Sequence, residues 1–137
     1  MSDSAERGFA DWLIALQVLA ENLVAEDPSE DEGFVARLIT VIDTAPIDLA
    51  MPFGVHGNAA ALRAAVGPDS LETVMLRVIG DRTGFMISRG VQGLHYVTIA
   101  IPDHDVEVSA EGGTFARACC KAVVLAIMAL LQVHPAG

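Results

Sequence analysis

The sequence predicts an α+β domain: an N-terminal helical hairpin, an antiparallel sheet of three or four strands, and a long apolar C-terminal helix packed on it. Three observations predict this. Apolar residues recur at helical spacing over 4–43, alternate with polar ones over 105–110, and fill nearly every position from Thr114 to Val133. At 137 residues the chain has the size of one domain, 1–137, and such a chain buries roughly 68% of its unfolded surface. With 53% hydrophobic residues and few aromatics, its core must be aliphatic.

The first helix is expected over 4–25, where Phe9, Trp12, Leu13, Leu16, Leu19, Ala20 and Leu23 form one buried stripe. Glu26-Asp27-Pro28 ends it. Ser29 to Glu32 then reads as a capping box: the Ser29 hydroxyl accepts from the backbone at Glu32, and Glu32 reaches back. Phe34, Val35, Leu38, Ile39 and Ile42 carry the second helix to about Asp43, so the acidic turn joins the two arms of a hairpin. Prolines and glycines make 44–57 irregular, and Asn58 caps a short helix from Ala59 to Val66 that Gly67-Pro68 stops. Residues 70–79 are ambiguous. Asp69 with Glu72 resembles a helix start, whereas Thr73, Val74, Val78 and Ile79 favour the strand expected here.

Gly84–Arg89, Leu94–Ile101 and Asp105–Ala110 have strand chemistry and are separated by short turns. In the last, Val106, Val108 and Ala110 alternate with polar residues, the mark of a sheet covered on one face. Thr114 caps the final helix, whose strongly polar members are Arg117, Lys121 and Gln132. A helix apolar on nearly every face is a core element or a subunit interface. With one face on the sheet and part of another on the hairpin, it predicts a homodimer or higher homo-oligomer, with Leu130 and Leu131 as interface candidates.

The net charge is −10, and it is concentrated. Asp3, Glu6, Asp11, Glu21, Glu26, Asp27, Glu30, Asp31 and Glu32, half of the 18 acids, lie within residues 1–32 against one base, Arg7. Such a surface repels nucleic acid and anionic membrane and attracts a basic protein surface. The acidic patch Glu26, Asp27, Glu30, Asp31 and Glu32 is the candidate partner-binding site, weighed against a solvated turn that caps a helix. The N-terminus has acids where a signal peptide needs positive charge, and the longest apolar run, Ala122 to Leu131, is about half of a ~20-residue membrane span. A soluble cytoplasmic protein is expected.

No catalytic residues, metal or cofactor are expected. Cys119 and Cys120 are neighbours that helix geometry keeps from bridging, and an apolar helix makes them packing residues. Asp103-His104-Asp105 reads as a polar turn, because successive residues of an extended chain point to opposite sides and do not converge on an ion. His56 between two glycines, with Asn58, is a possible small-ligand site. The chain lacks a P-loop, a G-x-G-x-x-G and a G-x-S-x-G.

The segment VEVSAEGGTFARACCKAVVLA, Val106 to Ala126, resembles the closing strand and helix of the phage ABA-sandwich proteins. Thr114, Ala118, Cys120, Lys121, Ala122 and Ala126 occupy the matching places, and the acidic hairpin ahead of the sheet departs from that pattern. The resemblance implies a phage or mobile-element origin and carries over no catalytic residue. The function expected is therefore non-catalytic binding: an acidic inhibitor or nucleic-acid mimic acting on a basic surface. The alternatives are a small acidic chaperone or immunity-type protein, or a pocket protein that sequesters a small molecule.

Overall fold

The computed structural model describes residues 2–24 and 27–133. Among these, six α-helices and one antiparallel three-stranded sheet form an α+β fold. Helix α1 (Ser2–Asn22) and α2 (Asp31–Asp43) make the expected hairpin. Trp12, Leu16, Leu19 and Leu23 of the first stripe are buried against Phe34, Val35, Leu38, Ile39 and Ile42 of the second. The Trp12 indole N–H donates to the Val41 carbonyl at 2.7 Å, filling a carbonyl that the end of α2 leaves without an intrahelical partner.

Short helices α3 (Ile47–Ala50) and α4 (Ala59–Ala65) follow, then α5 (Leu71–Ile79). The strand expected over 70–79 is thus a helix. Its buried residues Val74, Met75, Val78 and Ile79 sit at helical spacing, and packing of that stripe overrides the β-propensity of Thr73 and Val74. Gly80, at φ +77°, ends it, in a conformation that disfavours residues bearing a Cβ. There the chain touches the loop below: Gly54 N–H donates to the Val78 carbonyl at 2.8 Å, and a Cβ on Gly80 would lie 2.9 Å from Gly54 N.

Strands β1 (Gly84–Arg89), β2 (His95–Ile101) and β3 (Val106–Gly112) lie in the order β1-β2-β3. Phe85 pairs with Ile99, Ile87 with Val97, and Val97 with Ala110, so these side chains share one face. Val97, Ile99 and Ile101 are buried on it beneath α6 (Phe115–Val133). Glu107, Ser109 and Glu111 occupy the opposite, wet face, as the alternation predicts. The sequence expectation of three or four strands resolves to three.

Helix α6 lies over β2 and β3 and under α2 and α5. By length and composition it suffices for a membrane span, yet Ala118, Cys119, Cys120, Ala122, Val123, Ala126 and Ile127 are buried within this fold. Leu130, an interface candidate, is fully buried in the core, and Leu131 packs partly against it. Leu130 therefore offers no surface to a second copy. The sheet and the α2/α5 layer clamp α6 from two sides and bury most of its apolar surface, while Leu125 and Val133 stay exposed.

Candidate interaction site

The acidic turn is built differently from the expected capping box. A 3₁₀ turn, Pro28–Glu30, precedes α2, and the N-cap residue Glu30 makes no side-chain cap. Asp27 Oδ1 instead accepts from both the backbone N–H and the hydroxyl of Ser29, at 3.0 and 2.7 Å. Two donors stabilise the carboxylate, so the Ser29 hydrogen bonds hold the Asp27 pKa below its ordinary value. Ser29 is thereby engaged one step earlier in the chain than a capping box requires, an Asx turn displacing the helix cap.

Asp31 is not part of the surface patch. It is 4% exposed and forms a buried ion pair, its Oδ1 accepting from Arg117 Nε at 3.0 Å and lying 2.9 Å from Arg117 Nη2. Its Oδ2 accepts from the Thr114 hydroxyl at 2.6 Å, while Thr114 Oγ1 accepts from the Arg117 backbone N–H at 3.1 Å. Thr114 thus caps α6 as expected and joins the pair at the same time. Arg117 Nη2 also donates to the Asp27 carbonyl at 2.7 Å, and its guanidinium lies 4.6 Å from the Phe34 ring centroid. One side chain ties the acidic turn, the start of α2 and the start of α6 together.

Glu30 and Glu32 of the patch, with Glu21 of α1, line an open cavity of about 620 Å³ together with Asn22, Ser29, Gly33, Phe34 and Arg37. Its size is within the roughly 300–1,000 Å³ of ligand sites. Glu21, Asp27 and Glu30 are exposed, and Glu32 is half-buried with Oε1 enclosed and without a hydrogen-bond partner. Arg37, the cation on the wall, lies 5.7 Å from the Phe34 centroid, and its guanidinium donates at 3.2 Å to Asn22 once that side-chain amide is turned to present its oxygen. Glu26 lies outside the described residues. Glu21 was not singled out in the sequence, although a hairpin necessarily sets the last turn of α1 beside the first turn of α2.

His56 and Asn58 are exposed beside a smaller cavity of about 210 Å³, with Met51, Pro52, Phe53, Gly54, Asp81 and Arg82. The Asn58 side-chain amide donates to the Gly54 carbonyl at 3.2 Å, bracing the loop rather than capping α4. Pro102–His104 form a 3₁₀ turn capped by Asp105 at φ 55°, the turn reading of Asp103-His104-Asp105. Among the described residues no three His, Cys, Asp or Glu side chains gather as a metal site would need. Burial pushes the Cys119 thiol up to about 12 and raises Cys120 further, so neither is a thiolate near neutrality.

No family model, curated protein or solved structure matches the chain.

Proposed function

We propose that the protein is a non-catalytic binding protein whose acidic cavity receives basic side chains of a partner protein. Its kind is an acidic inhibitor or nucleic-acid mimic of phage or mobile-element type. The observation that carries this reading is the gathering of Glu21, Glu30 and Glu32 along one cavity, with exposed Asp27 next to Pro28 and Ser29 in the same turn. Carboxylates gathered on one wall offer charge-assisted hydrogen bonds to an incoming lysine or arginine. Asp27, held anionic by Ser29, adds to the field that steers such a cation. The likeness of Val106 to Ala126 to phage ABA-sandwich proteins supports the phage setting.

The test starts from a partner retained from host extract by the immobilised full chain and then purified. Its affinity is compared between the native protein and Glu21→Gln/Glu30→Gln/Glu32→Gln over a range of salt. The expected outcome is slower association and a flatter salt dependence in the variant, with an unchanged circular dichroism spectrum. Equal affinity and equal salt slope would return these acids to solvation alone.

A further inference from the structure

The sheet has two edges, and they differ. Exposed Glu107 and Glu111 stand along β3, and charge at an edge discourages the approach of another strand. The other edge, β1, has neither lysine nor proline, and its register with β2 runs without a bulge. Every residue of Gly84–Arg89 is exposed, with Phe85 at 40%, Met86 at 71% and Ile87 at 41%. Three large apolar residues in succession on a strand whose outer edge is unpaired make a template for a further strand.

We infer that β1 is the seam of a two-fold homodimer, pairing antiparallel with β1 of a second copy about Met86. Phe85 of each copy then lies opposite Ile87 of the other.

The backbone sets this register. Gly90 N–H donates to the Leu94 carbonyl at 2.9 Å, which extends the β1–β2 register by one pair and marks Gly90 as a hydrogen-bonded position. Antiparallel ladders alternate, so Ser88, Met86 and Gly84 also bond β2, while Phe85, Ile87 and Arg89 turn their N–H and C=O groups outward. Pairing about Met86 sets outward-facing Phe85 against outward-facing Ile87, and the bonds close in both directions. A shift of one residue would oppose outward to inward groups. Pairing about Ile87 satisfies the backbone too, but places Phe85 against Arg89 and loses the apolar match.

The faces agree with the register. Phe85 and Ile87 lie on the α6-covered face, opposite Ile99 and Val97, but at the rim that α6 leaves open. Across the seam each joins its counterpart, giving an apolar band through the four central strands of a six-stranded sheet. The match of Phe85 to Ile87 about Met86 points to a second copy as the occupant, and charge does little to oppose it. Between Arg82 and Pro102 there is no acid, while Arg82, Arg89 and His95 lie in that stretch of a chain of net charge −10. Two copies thus meet at their least negative region, with the acidic turn beyond the far edge, where α6 begins after β3. The inference stands independently of the acidic cavity.

Light scattering on the full chain at micromolar to millimolar concentration tests it, with a mass twice 14.4 kDa expected. Phe85→Lys/Ile87→Lys should return the mass to that of one chain. On the axis, Met86 would meet its own copy as a non-hydrogen-bonded pair with Cα atoms about 4.5 Å apart, within disulfide reach. Met86→Cys should therefore cross-link between copies on mild oxidation, and Ser88→Cys should not, because this register sets Ser88 opposite Gly84 of the other copy; native Cys119 and Cys120 are buried and do not interfere. The cross-link decides the matter even if the lysine variant fails to fold. A single-chain mass throughout, or a dimer in which Cys at 86 and at 88 oxidise alike, overturns the inference.

Discussion

Replacing Arg117 with methionine keeps an apolar stem over Phe34 and removes the guanidinium. The bonds to Asp31 Oδ1 at 3.0 and 2.9 Å and to the Asp27 carbonyl at 2.7 Å are lost together. Asp31, with a side chain 5% exposed, is left as a buried carboxylate facing the Thr114 hydroxyl. Removing one member of such a pair costs about 3–5 kcal/mol, most of it the desolvation of the stranded charge. Against a typical domain stability of about 5–15 kcal/mol the loss is large, and at about 4 °C per kcal/mol for this size it lowers Tm by about 12–20 °C. Urea unfolding of Arg117→Met followed by far-UV circular dichroism measures it. Adding Asp31→Leu removes the stranded charge as well, so the double variant should regain more than half of the loss. A cost within about 1 kcal/mol, the range of an exposed ion pair, would refute the assignment of this pair as a buried tie.

Two further outcomes are expected. The Asp27 carboxyl should titrate below 3.8 by carbon-detected NMR, and Ser29→Ala should raise it toward that value. Because the folded pKa is depressed, the stability it contributes is present above 3.8 and fades as pH falls through the lowered value. Cys119 and Cys120 should resist an aromatic disulfide reagent at neutral pH in the native protein and react promptly in urea, since burial raises both thiols. Fast native labelling would place them at the surface.

Much of this fold is written in local patterns. The stripes of α1 and α2, the alternation in β3 and the Thr114 cap each follow from periodicity or capping chemistry within a few residues. Residues 70–79 were opaque because their β-branched composition and their helical spacing point to different structures, and only packing against α2 and α6 decides between them. The acidic patch divided for a similar reason. Asp31 and Glu30 are equivalent in charge and adjacent in sequence, but Asp31 is claimed by Arg117, 86 positions away, which no local signal announces. The covered position of Leu130 likewise depends on what flanks α6 on both sides. Glu21 was within reach, since the hairpin alone predicts its meeting with Glu32.

The grip of Arg117 on the acidic turn has a consequence for association. Its guanidinium holds the main chain at Asp27 and the side chain at Asp31, on either side of Ser29 and Glu30. The 3₁₀ segment between these anchors is thus fixed to the same helix that covers the sheet, although it sits at the surface. A partner docking there, as proposed, would meet a main chain already fixed, so little backbone entropy would remain to be lost at the encounter. Freezing an acidic loop on contact commonly opposes binding by a sizeable entropic term. Here folding itself holds the main chain, so calorimetry of the proposed complex should register a correspondingly small backbone-entropy cost.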